Sequence, residues 1–175
     1  MDFPEGYEIA LDKELQNCWP NLKKNVNFWY TSFKTFIEET EDAYNCFSWA
    51  VGIDNLWLDM YYFQRYFKLD PSSLDHSANG YAFFMEMFDF KICTNGNLEN
   101  GFEKIAIYEQ YGEFQHVALQ KSNGNWKSKM GQMEDIEHKD LNDISGIGQD
   151  RYGTPKIYMK RSLKSSRIKF NPNVS

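Results

Sequence analysis

Hydrophobic positions in the first half of the chain recur every three or four residues. Between about 11 and 40, Leu15, Trp19, Leu22, Val26, Trp29, Phe33, Phe36 and Ile37 keep that spacing with one interruption at Pro20, which predicts a helix or a helix pair. Leu56, Trp57, Met60, Tyr61, Phe63, Tyr66 and Phe67 form a second stripe that stops near Asp70-Pro71. A third, with a capping segment from Asp75 to Asn79, runs through Tyr81, Phe84, Met85 and Phe88. Stripes of this kind usually fill a core. Between the first two, Asp42 or Asn45 can accept hydrogen bonds from first-turn amides, and an apolar run follows up to Gly52. That predicts a short helix with Cys46 in its first turn.

After Gly101 the period changes. Lys104 to Tyr108, Phe114 to Leu119 and Trp126 to Met130 are strand candidates separated by Tyr111-Gly112 and Asn123-Gly124, and they predict an antiparallel meander. A fourth, Lys156 to Lys160, follows a glycine-bearing loop from Ser145 to Gly153. Helices first and an antiparallel sheet second argue for one α+β domain over residues 1–175, with 1–40 as a helical extension and 162–175 as a loose basic tail.

At 175 residues the chain can bury about 70% of its unfolded surface in a single core without staples. Cys18, Cys46 and Cys93 are odd in number and form no CxxC pair, which points to a reducing compartment. The acidic start lacks the regions of a secretory signal, and no stretch approaches the length of a membrane span, so a soluble, cytoplasmic protein is expected. A net charge of -6 disfavours nucleic acid as a partner. The basic stretch from Lys156 to Lys169 could dock an acidic partner, but reads first as a solvated last strand and frayed end.

Two residues carry candidate chemistry. At a helix N-terminus, Cys46 would feel a partial positive charge that favours thiolate, the attacking species. His116 sits on the second strand of the meander, where it could meet a helix packed on the sheet; thiol and imidazole together supply nucleophile and proton shuttle. His76 has no comparable context. Cys46, His116 and His138, with Asp135, lack the short spacing of a transition-metal site, so no metal or other cofactor is expected.

The segments Tyr44-Asn45-Cys46-Phe47-Ser48-Trp49-Ala50, Gly101 to Tyr108, His116-Val117-Ala118, Trp126 to Gly131, Asp135-Ile136-Glu137-His138 and Tyr152-Gly153 resemble, in that order, the papain-like superfamily in its compact NlpC/P60-like branch. They are most similar to a family of uncharacterised, mostly bacterial domains within it. The resemblance runs from about Tyr44 to Arg161 and implies a papain-like fold, a nucleophile helix on an antiparallel sheet, and a cysteine hydrolase or acyltransferase acting on an amide, ester or thioester. The compact peptidases commonly show Asp-Cys-Ser where this chain has Asn45-Cys46-Phe47, so peptidoglycan is not implied.

Papain-like relatives place the group that orients the histidine on the following strand, which points to Ser128. If Asn123-Gly124 is a two-residue loop, Ser128 faces away from His116; a three-residue loop from Ser122 to Gly124 puts both on one face. Asn-Gly favours the first. Asp135 is chemically the better orienter, because a carboxylate also stabilises imidazolium, although it could equally cap a helix or turn. The oxyanion would meet the Cys46 amide and a second donor, with Asn45 and Gln115 as candidates. Lys127 and Lys129 alternate along one face, as anion ligands or as the solvated side of an edge strand. Peptides, cell-wall fragments, lipid esters and other small molecules all fit as substrates. The alternative is a non-catalytic binding or toxin-associated interaction module in which Cys46 packs and His116 is structurally bonded.

Overall fold

A computed structural model describes residues 6–32 and 44–164. Helix α1, Tyr7–Cys18, ends just ahead of Pro20, and its Leu11 and Leu15 turn inward. The helical spacing does not continue: Phe28–Ser32 is a strand, β1, and 33–40 lie outside the described residues. Phe28 is buried, while Trp29, on the other side, lies under the Lys139 ammonium at 5.4 Å. Aromatic residues on both sides erase the alternation that identifies a strand.

Short helices follow: α2 is Cys46–Val51, α3 is Met60–Phe67 and α4 is Ala78–Glu86. Asn45, Asp59 and Ser77 cap them, each accepting a backbone N–H with its side chain. The remaining strands are β2 (Lys91–Cys93), β3 (Phe102–Gln110), β4 (Glu113–Gln120), β5 (Trp126–Lys129), β6 (Asp135–His138) and β7 (Thr154–Ser162). They form one seven-stranded sheet in the order β1-β6-β5-β4-β3-β7-β2, antiparallel at every pairing.

The expected α+β papain-like arrangement, a helical half packed on a later sheet, is therefore corrected. The fold is mostly β, its helices are few and short, and one edge of the sheet comes from the region read as helical. Asp135–His138, read as a turn or cap, is an inner strand.

Side chains alternate across the sheet and build a core on each face. Ile105, Ile107, Val117 and Met159 join Phe47, Phe63 and Phe84 on the face of α2 and α4. There the rings of Phe63 and Phe84 stack at 4.2 Å, and each such side chain contributes roughly 1.5–3 kcal/mol by burial. Ala106, Tyr108, Ala118, Trp126 and Ile136 join Leu11, Leu15 and Trp19 on the α1 face.

The basic last strand is solvated only in part: Lys156 is exposed, but Arg161 is buried. β7 lies between β3 and β2, Arg161 bonds Glu103 at 2.6 Å over the Phe90 ring, and Lys160 bonds Glu99 at 2.6 Å. The end of the basic tail, 165–175, lies outside the described residues. No described helix is long and apolar enough to cross a membrane.

Candidate thiol site at the seam between two strands

Cys46 opens α2 as the sequence predicts. The Asn45 Oδ1 accepts the Ser48 N–H and hydroxyl, each at 2.9 Å, and its Nδ2 donates to the Leu58 carbonyl at 2.6 Å. Asn45 thus anchors the helix start, and its amide is committed there rather than held out as an oxyanion donor. Gly52 ends the helix at φ 89°, where a side chain would be strained.

Strand register decides where the sulfur sits. The Lys121 N–H donates to the Asn125 carbonyl at 2.7 Å and the Gly124 N–H to the Lys121 carbonyl at 2.9 Å, so Ser122 to Gly124 form a three-residue loop with Gly124 at φ 89°. The two-residue loop favoured by Asn-Gly is not formed. β4 and β5 then pair at Gln120 with Trp126 and at Leu119 with Lys127, where their ladder ends. Backbone groups alternate along an antiparallel strand, so Val117, like Leu119 and Lys121, directs its N–H towards β5. No rung forms at Val117, and its backbone is among the hydrogen-bonding groups that favour the Cys46 thiolate.

Burial pushes the Cys46 thiol up to about 11, against the pull of backbone hydrogen bonds at Val117, Phe47 and Cys46 itself and of the Lys129 ammonium. The resting sulfur is a thiol.

His116 is the residue before Val117. Its partner across β3 is Tyr108, so its side chain lies on the α1 face while α2 covers the other. The imidazole is fully buried, stacked on Tyr152 at 4.2 Å and 6° and edge-on to Tyr108 at 5.7 Å. Among the described residues neither ring nitrogen has a hydrogen-bond partner. Burial, with nearby His138, holds its pKa well below the usual value, so the ring is neutral. Cys46, in the core under α2, and His116, on the α1 face, thus belong to opposite faces of the sheet near Val117, and among the described residues no hydrogen bond joins them.

Asp135 does not orient His116. It pairs with Lys129 across the sheet on the α2 face, where the Tyr44 hydroxyl donates to its Oδ2 at 3.0 Å and its Oδ1 is buried without a partner. Burial raises its pKa, against the Lys129 ammonium and the Tyr44 hydrogen bond. Lys129 is almost fully buried on the inner strand β5, its ammonium 5.3 Å from the Tyr44 ring centre and donating to the Met133 carbonyl. It is no solvated edge residue.

Ser128 does share the His116 face, yet its hydroxyl lies 2.9 Å from the His138 Nε2. The His138 Nδ1 donates to the Asp140 carbonyl at 2.8 Å, which leaves Nε2 to accept from Ser128. Gln115 falls at the bulge where β4 slips against β3, its amide donating to the Glu113 carbonyl at 3.4 Å. Sequence reasoning missed Tyr152 as the cover of His116 and Lys129 as a charge beside the sulfur. Tyr152-Gly153 was visible only as a motif, and Lys129 only as half of an alternating pair. Among the described residues, no group of three or more His, Cys, Asp and Glu side chains is arranged to hold a metal ion.

Two cavities flank this seam region. The larger, about 680 Å³, lies on the α1 face among Asn95, Asn97, Gln120, Trp126, Asn142 and Tyr158. The smaller, about 340 Å³, lies beside α2 among Trp49, Ile53, Asp54, Leu119 and Lys127. No curated protein and no solved structure matches the chain. A family model does match, over residues 35–160, and so takes in α2, the seam and nearly all of the sheet. By that match the chain belongs to the family described as a domain of unknown function, DUF7689.

Proposed function

We propose that the domain carries out thiol-dependent acyl transfer, with Cys46 as nucleophile and His116 as its proton acceptor. One observation supports this above the rest: His116, next in sequence to the Val117 backbone that favours the Cys46 thiolate, is a buried, neutral imidazole with both nitrogens unbonded among the described residues. A buried histidine kept only for structure normally has its hydrogen bonds made.

A neutral thiol and a neutral base suit general-base activation. As the sulfur attacks a carbonyl carbon, its proton passes to the imidazole by way of the gap left where the β4–β5 ladder ends. The carbonyl electron pair moves to oxygen, where the Cys46 and Phe47 amides are the donors left, since Asn45 holds those of Ser48 and Trp49. Collapse of the tetrahedral species expels an amine, alcohol or thiol that takes the proton back, leaving a thioester on Cys46. Water or another acceptor then takes the acyl group, so hydrolase and acyltransferase share this chemistry.

Alkylation by iodoacetamide, followed residue by residue by mass spectrometry, tests the proposal. Cys46 is expected to react through a pH dependence that His116 sets, and His116→Phe to slow it by at least tenfold while Cys18 and Cys93 keep their rates. Equal rates at Cys46 with and without His116 would overturn it.

The larger cavity favours a second reading, a binding domain. Its lining offers amides, two aromatic rings and one carboxylate, Asp140, and no Lys or Arg, which suits an uncharged polar ligand such as a saccharide. Titration with a neutral oligosaccharide, read at the Trp126 indole N–H, would show a saturating shift if that reading holds and none if it does not.

A further inference from the structure

The smaller cavity stands close to the sulfur. Trp49 is three residues beyond Cys46 on α2, a rise of about 4.5 Å, and Leu119 is two residues along β4 from Val117, about 7 Å. Trp49, Ile53 and Leu119 give it apolar walls. Lys127 supplies its cation, with the ammonium 5.7 Å from the centre of the Trp49 ring. Lys127 makes no ion pair among the described residues: Glu137, its partner across β5 and β6, is taken by Lys121, and Asp135 acts on it only through space. Asp54 also lines the cavity and disfavours an occupant with several negative charges.

We infer that this cavity binds an apolar substrate group ending in a single carboxylate, with the hydrocarbon against Trp49 and Leu119 and the carboxylate on Lys127. This rests on the thiol reading: the acyl carbon to be attacked would lie within a short chain's reach of that carboxylate. A lysine ammonium over an indole is partly desolvated, which strengthens its pairing with an incoming anion.

The test uses Cys46→Ala, so that binding is read without reaction, and two probes, 4-phenylbutyrate and its neutral amide. The acid is expected to shift the Trp49 indole N–H in NMR spectra and to bind at least tenfold more tightly than the amide. Lys127→Met should abolish that preference and Lys127→Arg should keep it, with circular dichroism melts confirming that both variants fold. Equal binding of acid and amide, or a preference that survives Lys127→Met, overturns the inference. If the charge preference holds while alkylation of Cys46 proves independent of His116, the thiol reading fails and a plain carboxylate site stands.

Discussion

His116 and His138 lie on the same face of the same sheet, both fully buried, both kept neutral by burial, and they are bonded in opposite ways. The region around His138 is closed: one nitrogen gives its proton to the Asp140 carbonyl and the other receives the Ser128 hydroxyl. The region around His116 is open, with aromatic rings above and beside it and no polar partner for either nitrogen. A closed ring is a strut, because moving it costs two hydrogen bonds. An open ring costs little to turn, and its lone pair is available to a proton. Depth and residue type do not distinguish the two; the hydrogen-bond inventory does.

The largest effect that would sharpen this contrast is at the closed ring. His138→Ala strands the Ser128 hydroxyl and the Asp140 carbonyl and opens a void, at an expected cost of about 3 kcal/mol in urea unfolding. His116→Phe, which keeps a ring on Tyr152 and breaks no hydrogen bond, should stay within about 1 kcal/mol of wild type. A loss at His116→Phe as great as at His138→Ala would erase the distinction.

Acid is the next probe. Both rings resist protonation when folded and accept it near pH 6.5 when unfolded, so below about pH 6.5 the unfolded chain holds protons that the folded one refuses. Stability contributed by these rings is therefore unchanged above that pH and falls below it, by about 1.4 kcal/mol per pH unit for each ring until its folded value is reached. His116→Phe should remove one of these contributions, measured as a shallower fall in stability between pH 6.5 and 5; an unaltered slope would contradict a neutral buried His116. The smallest effect is Ser128→Ala, about 1 kcal/mol for one neutral hydrogen bond, with no change in the Cys46 alkylation rate.

Much of the sheet could be read from residue patterns. The meander strands announce themselves by Ile105, Ile107, Val117 and Leu119 on alternate positions, and the helix start at Cys46 by Asn45 and Gly52. β1 was hidden because Phe28 and Trp29 are both aromatic, and because Val26, Trp29 and Phe33 happen to keep helical spacing. β6 was hidden by length: in Asp135-Ile136-Glu137-His138 a single apolar residue leaves no alternation to see. The place of Cys46 at a helix start and of His116 on a meander strand was legible, but the sheet face each takes was not. Which face Ser128 takes hangs on one extra loop residue, and which histidine it bonds on the fold of both strands. Lys129 shows the limit from the other side, since no pattern tells a buried lysine from an exposed one on an alternating strand.

The early end of the β4–β5 ladder has a mechanical meaning as well. Only two paired positions join β4 to β5, against four between β5 and β6, so the sheet is in effect two plates, β1-β6-β5 and β4-β3-β7-β2, stitched along a short line. The first described strand belongs to one plate and the last to the other, so tension applied between the two ends of the chain runs across that stitching. The helix bearing Cys46 lies against both plates and acts as the rivet.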